Sequence, residues 1–182
     1  MTVTLPKTRA AAIWLLIVVS VIGLAITGAG AFGNFRINLT PSEPLGLWRI
    51  VPLEEPVEVG NLVLICPPDD AAMRAAWSRG YLRSGSCEGG FAPLIKKVIS
   101  GAGQHVTVAD SVRINGRPVE ASRIRIHDGE GRPLSRYAGG IVPPGMVFLH
   151  SSFSASFDSR YFGPLPAAGI LGIAEPVLTY AP

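Results

Sequence analysis

Leu94-Ile95-Lys96-Lys97-Val98-Ile99 places two charges inside an apolar run that begins at Ala92. Successive side chains of a strand point to opposite faces. One lysine is therefore expected to face solvent and the other the interior. A lysine buried without a carboxylate partner gives up its proton readily, and the neutral amine is a usable general base. The plain alternative is two solvated lysines on an edge strand.

Outward from this run the chain reads as mainly β. Asn61 to Ile65 is a short strand, as are Val106–Val108 and Val112–Ile114, with a turn around Ala109-Asp110-Ser111. Asn115-Gly116 is a tight-turn signal and Val119 resumes the pattern. Arg123 to His127 alternates, and Asp128-Gly129-Glu130-Gly131 is a turn. Met146–Leu149 is an apolar strand, and Ile170 to Tyr180 is expected to close the fold. Many short strands with Gly and Pro turns point to a barrel or a folded, sandwich-like sheet system. One short helix is expected between Asp69 or Asp70, which can cap it, and Gly80, which can end it. It lies between Cys66 and Cys87, the chain's two cysteines. In an oxidising compartment these are expected to form one disulfide around a loop of about 20 residues; two buried thiols are the alternative. Without a CxxC motif or clustered histidines they make no zinc site, and no cofactor or metal is expected.

Ahead of this body, residues 10–32 (AAAIWLLIVVSVIGLAITGAGAF) carry no charge. About 20 such residues suffice for a helix to cross a bilayer. Lys7 and Arg9 precede the segment, so the positive-inside tendency puts residues 1–9 in the cytoplasm and residues 33–182, including an insertion at about 66–87, outside. The competing reading is a cleaved signal peptide, since Ala29-Gly30-Ala31 has the small-x-small form of a cleavage site. Both readings export the body.

Composition agrees. Hydrophobic residues make up 48% of the 182 and charged residues only 16%. The pI of about 9.1 invites a nucleic-acid reading. Setting Lys7 and Arg9 aside, however, leaves 14 basic against 13 acidic residues. That is too little local excess for a phosphate-binding stripe.

Three scattered histidines (His105, His127 and His150) come with no G-x-S-x-G elbow, so a Ser-His-Asp hydrolase is disfavoured. In Asn38-Leu39-Thr40-Pro41-Ser42-Glu43-Pro44-Leu45-Gly46-Leu47-Trp48 two prolines flank a serine and stiffen its backbone. Alone, the stretch reads as a plain linker turn. Phe157-Asp158-Ser159-Arg160-Tyr161-Phe162-Gly163-Pro164 packs an acid, a base and aromatics into one turn, able to brace a site.

Together and in this order, these stretches resemble the signal peptidase family of Ser/Lys proteases: N-x-T-x-S-x-P-x-G-L, a basic pair in an apolar strand, and a serine two residues before D-S-R-Y-F-G. They are closer still to the branch that processes pilin precursors in conjugative transfer. That branch also shows Ile65-Cys66-Pro67-Pro68, Gly80-Tyr81-Leu82, Gly85-Ser86-Cys87 and Asp128-Gly129-Glu130-Gly131-Arg132-Pro133-Leu134. The resemblance runs from about Asn38 to Pro176. It departs from the family pattern at Gln104, where an acid usually follows Gly103, at Lys97, where arginine is common, and at Ser154-Ala155-Ser156.

The resemblance implies a signal-peptidase-like β domain with a hydrophobic face near the membrane. Ser42 would be the nucleophile and Lys96 the general base. Thr40 and the Ser42 N–H would form the oxyanion hole, Ser156 would orient the lysine, and Asp158 with Arg160 would brace the region. The expected enzyme is a membrane-anchored endopeptidase of the bacterial inner membrane: single-pass, N-terminus cytoplasmic, catalytic domain periplasmic. Its expected partner is an exported, pilin-like precursor with small residues at the −1 and −3 positions, with other transfer or secretion components alongside and no nucleic acid. Acyl transfer to cyclise the pilin, or a non-enzymatic envelope scaffold, are the alternative functions.

Overall fold

The structure, a computed structural model, describes residues 7–181. Residues 1–6 of the expected cytoplasmic terminus lie outside them. The chain divides into two units between Arg36 and Ile37. The first is dominated by helix α1, Lys7–Phe32. Thr8–Gly28 within it has a mean hydropathy of 2.6, and its large apolar side chains are exposed. At 1.5 Å per residue α1 is about 39 Å long, more than the roughly 30 Å of a hydrocarbon core. Such a helix fits a membrane anchor or a signal sequence.

The second unit holds two antiparallel sheets. The elements, in chain order, are β1 (Phe35–Asn38), β2 (Leu45–Val51), β3 (Leu62–Ile65), α2 (Ala71–Ser78), β4 (Leu94–Ser100), β5 (His105–Val108), β6 (Val112–Ile114), β7 (Arg117–Pro118), β8 (Gly140–Ile141), β9 (Met146–His150), α3 (Ser159–Phe162), β10 (Leu165–Pro166) and β11 (Ile170–Tyr180). The larger sheet runs β1-β2-β11-β3-β4-β9-β10 and the smaller β7-β6-β5-β8. The lysine-bearing strand β4 therefore lies inside the larger sheet, with Lys96 opposite Val63 of β3 and Lys97 opposite His150 of β9. Its alternation decides the packing. Val98 enters a core with Val63, Ile65, Met73, Phe91, Leu149 and Leu165. Ile95 faces the other way, onto Leu64, Trp48, Ile50 and Ala174. A third cluster under the smaller sheet gathers Val106, Val108, Val112 and Val142 around Phe148, so β9 supplies side chains to two cores.

Two expectations change. Leu45–Trp48, read as part of the serine-bearing stretch, belongs to a full strand, Leu45–Val51, paired with the closing strand β11. Gly46 allows this: it has φ +124°, and a Cβ there would meet the Leu178 carbonyl oxygen at 2.2 Å. Arg123–His127 alternates in sequence but forms no ladder beyond a lone bridge from His127 to Pro133. Its backbone groups are taken by scattered partners. Ile124 N–H donates to Asp110 O, Arg125 N–H to the Tyr161 hydroxyl, and the Arg123 carbonyl accepts from Arg160. Period-two patterning makes a strand only where a neighbour offers matching groups.

The insertion is tied down as its sequence suggests. Asp70 caps α2, accepting from Met73 N–H at 2.8 Å, and Met73 and Ala76 turn one face of the helix into the core. Cys66 and Cys87 are joined, 21 residues apart. Closing a loop of that length removes unfolded-state entropy worth on the order of 3 kcal/mol. The Cys66→Ser/Cys87→Ser double variant is expected to be about 3 kcal/mol less stable, with a lower urea midpoint and a steeper urea dependence because the uncrosslinked unfolded chain exposes more surface; chemical denaturation followed by tryptophan fluorescence measures it.

Candidate active site

Lys96 is 3% exposed while its neighbour Lys97 is exposed. By strand alternation Lys96 shares the face of Leu94 and Val98. None of the ion pairs among the described residues includes it. Burial pulls its pKa down to about 8, against the smaller opposing pull of Asp158 and Glu43. A substantial fraction of the amine is thus neutral slightly above physiological pH.

The loop that carries Ser42 connects β1 to β2. Its Ser42 carbonyl accepts a hydrogen bond from the Ser151 hydroxyl, 109 residues away, just past the end of β9. Glu43 is driven up to about 7 by burial, and the charges of Lys96, Lys97 and Asp158 all act on it. The structure thus brings the Ser42 loop, the end of β9 and the Lys96 region of β4 to one end of the larger sheet.

Behind them lies a fully buried pair. Asp158 caps α3 and takes the Arg160 guanidinium in two-pronged fashion, with Nε to Oδ1 and Nη2 to Oδ2 both at 2.8 Å. The remaining guanidinium hydrogens reach Arg123 O at 3.0 Å, Ser156 O at 3.2 Å and Phe153 O at 3.3 Å. Asp158 Oδ2 also accepts from Ser151 N–H at 3.1 Å. One side of this pair therefore holds Ser151, and Ser151 holds the Ser42 carbonyl.

Two expected contacts are not made. Ser156 Oγ is buried with no hydrogen-bond partner, so it does not engage Lys96. The Thr40 hydroxyl donates to Asn38 Oδ1 at 2.7 Å rather than standing free to meet an oxyanion. Catalytic hydrogen bonds often form only when substrate is bound, and both hydroxyls can rotate. Sequence reading assigned no role to Asn38, Glu43 or Ser151, and it took His150 for an ordinary strand-end residue. His150 is buried, its Nε2 unpartnered, and burial pushes its pKa down. The Asn-x-Thr spacing, which suits an Asx turn, was a legible signal for Asn38. Nothing local marked Ser151, whose partner is remote in sequence.

The other motifs also meet. Tyr81 Oη donates to Asp128 Oδ2 at 2.5 Å, and Arg132 Nε reaches the same oxygen at 2.6 Å. Arg132 then donates to Arg79 O, and Arg79 to Pro133 O. The disulfide-tied insertion is thereby latched to the Asp128–Leu134 turn.

A mainly β domain with a serine loop, a buried strand lysine and a buried Asp–Arg pair defines a protein of the signal peptidase type. The chain belongs to the signal peptidase family, peptidase S26, whose pattern matches residues 8–179. It is 64% identical over 154 residues to a probable conjugal transfer protein TraF of Sinorhizobium fredii (strain NBRC 101917 / NGR234), covering 85% of this chain and 82% of that one. It is 56% identical over 165 residues to the conjugal transfer protein TraF of Agrobacterium fabrum (strain C58 / ATCC 33970), covering 89% and 94%. A signal peptidase I from Enterococcus faecalis V583 overlaps in structure with a TM-score of 0.38 at 18% identity, over 65% of this chain and 97% of that one; an overlap this partial adds nothing to the assignment.

Burying Lys96 has a measurable consequence. Below about pH 8 it is protonated in both the folded and unfolded chain, and the folded state bears the full desolvation penalty. Between about 8 and the ordinary 10.5 the unfolded chain binds the extra proton, so stability rises with pH. The gap corresponds to about 3 kcal/mol. Lys96→Met is therefore expected to be more stable than the native protein at pH 7, with the advantage closing toward pH 10.5; thermal unfolding across that range reads it out.

Proposed function

We propose that this chain is a membrane-anchored serine endopeptidase that uses a Ser42/Lys96 dyad to process an exported precursor in conjugal transfer. The observation that carries this reading is Lys96: a lysine at an interior strand position, outside every ion pair described, with its pKa lowered to about 8 by burial. A structural lysine has no need of that environment; a general base does. The names borne by the relatives support the conjugal setting, and the family supports peptidase chemistry.

In this mechanism neutral Lys96 Nζ takes the proton of Ser42 Oγ as that oxygen attacks the scissile carbonyl. The oxyanion is met by the Ser42 N–H and by a rotated Thr40 hydroxyl, a type of contact worth a few kcal/mol. The Lys96 ammonium passes its proton to the leaving amine, and a water activated by the same amine then releases the acyl group. Ser156 would orient Lys96 once substrate is present. The substrate would lie extended, with small residues at −1 and −3, and would be a pilin-like precursor. Residues 10–32 would be the anchor, residues 1–9 cytoplasmic, and residues 33–182 periplasmic at the inner membrane.

Two measurements test this. Ser42→Ala and Lys96→Ala are each expected to abolish processing of the co-expressed precursor while the protein still accumulates in the membrane; retained processing in either would leave the scaffold reading instead. The pH–rate profile is expected to rise about tenfold per pH unit and level off above about pH 8. Glu43 is ionised at that pH and its charge raises the Lys96 pKa. Glu43→Gln is therefore expected to move the acid limb to lower pH.

A further inference from the structure

The segment that presents Ser42 has almost no backbone support of its own. Pro41 and Pro44 lack an N–H, and among the described residues no backbone–backbone hydrogen bond involves positions 39–44 outside strand pairing. Its carbonyls are held by side chains instead. Asn38 Nδ2 donates to Thr40 O at 2.9 Å, Glu43 O at 2.9 Å and Pro44 O at 3.0 Å. Asn38 Oδ1 accepts from Thr40 N–H at 3.0 Å and from the Thr40 hydroxyl at 2.7 Å. Trp48 Nε1 adds a second donor to Pro44 O, and Ser151 takes Ser42 O.

We propose that Asn38 is a positioning residue for the reaction: one carboxamide, 7% exposed at the end of β1, sets the path of Thr40–Pro44 and so the placement of Ser42 Oγ and the Thr40 hydroxyl. This rests on the peptidase reading of the same site.

Only a carboxamide does both jobs at this length. Its two Nδ2 hydrogens are shared among three carbonyls that water would otherwise have to reach, and its Oδ1 accepts from both Thr40 donors. Asn38 has a second effect on catalysis. It takes the Thr40 hydrogen in the resting state, so a developing oxyanion competes with a neutral amide oxygen and draws that hydrogen to itself. Aspartate at this position would be a stronger acceptor, would hold the Thr40 hydrogen more tightly, and would offer nothing to the three carbonyls. A displacement of about 1 Å at a nucleophile is enough to lower turnover roughly 100-fold.

The test uses the full chain in detergent micelles and an internally quenched peptide with alanine at −3 and −1. Native protein, Asn38→Ala, Asn38→Asp and Ser42→Ala are compared for kcat and KM and for amide hydrogen exchange resolved by peptide. The near-isosteric Asn38→Asp keeps the result readable if Asn38→Ala does not accumulate. Both Asn38 variants are expected to lose about 100-fold in kcat with KM within about threefold. Exchange is expected to rise about tenfold at the Thr40 amide, which Asn38 Oδ1 holds, with β3, β4 and β9 unchanged. Native-like exchange at Thr40 overturns the proposal, as does a loosened Thr40 amide with native kcat, or a loss that accompanies faster exchange across all strands. Native-like cleavage by Ser42→Ala sinks the peptidase reading and not the loop assignment, which the exchange measurement then decides alone.

Discussion

The Asp158–Arg160 pair is the constraint on which the Ser42 end of the molecule depends. Both side chains are fully enclosed, a position in which desolvation usually cancels the attraction between charges. What justifies it is the set of groups it organises. The stretch from Ser151 to Ser156 is not a strand or a helix, and its carbonyls need donors. Arg160 supplies them at Ser156 and Phe153, and holds the unladdered Arg123 as well. Asp158 supplies the acceptor for Ser151 N–H. An apolar replacement of the pair could fill the volume but would orphan these groups together, each with a desolvation penalty of about 1–3 kcal/mol.

The same pair explains why Lys96 stays outside the ion pairs of the described residues. The Asp158 oxygens are occupied: Oδ1 by Arg160 Nε and N–H, Oδ2 by Arg160 Nη2 and Ser151 N–H. The acid therefore reaches Lys96 as a field and not as a contact. Arg160 opposes that field with its own, and burial remains the largest influence on the amine. A free aspartate in this place would pair with the lysine and hold its proton, as charge partners do. Locking the acid to an arginine keeps the lysine available.

Much of this was legible in sequence where the pattern was local. The alternation of Leu94–Ile99 put the two lysines on opposite faces, and the family resemblance pointed to Lys96 as the interior one. The Asp70 cap and alanine-rich turn gave α2, and the Ile170–Tyr180 strand was read at its observed ends. The pattern failed where structure depends on remote partners. Leu45–Val51 became a strand because β11 offers it an edge and a bulge at Pro176/Leu178 absorbs the mismatch. Arg123–His127 did not, because its hydrogen bonds are drawn to Asp110, Tyr161 and Arg160. Ser151 could be singled out only in three dimensions, since its partner lies 109 residues earlier.

Glu43 carries the argument one step further. It follows Ser42 directly, and its own pKa, about 7, lies below that of Lys96, about 8. As pH rises through 7 the carboxylate ionises first and strengthens the hold of Lys96 on its proton. Only above 8 does the amine become the dominant neutral form. The Asp158–Arg160 pair is locked in mutual contact, so Glu43 is the group beside the lysine whose charge changes near neutrality. The proton on Lys96 is therefore governed jointly by a rigid pair that keeps the lysine out of its ion pairing and by one adjustable acid next to Ser42.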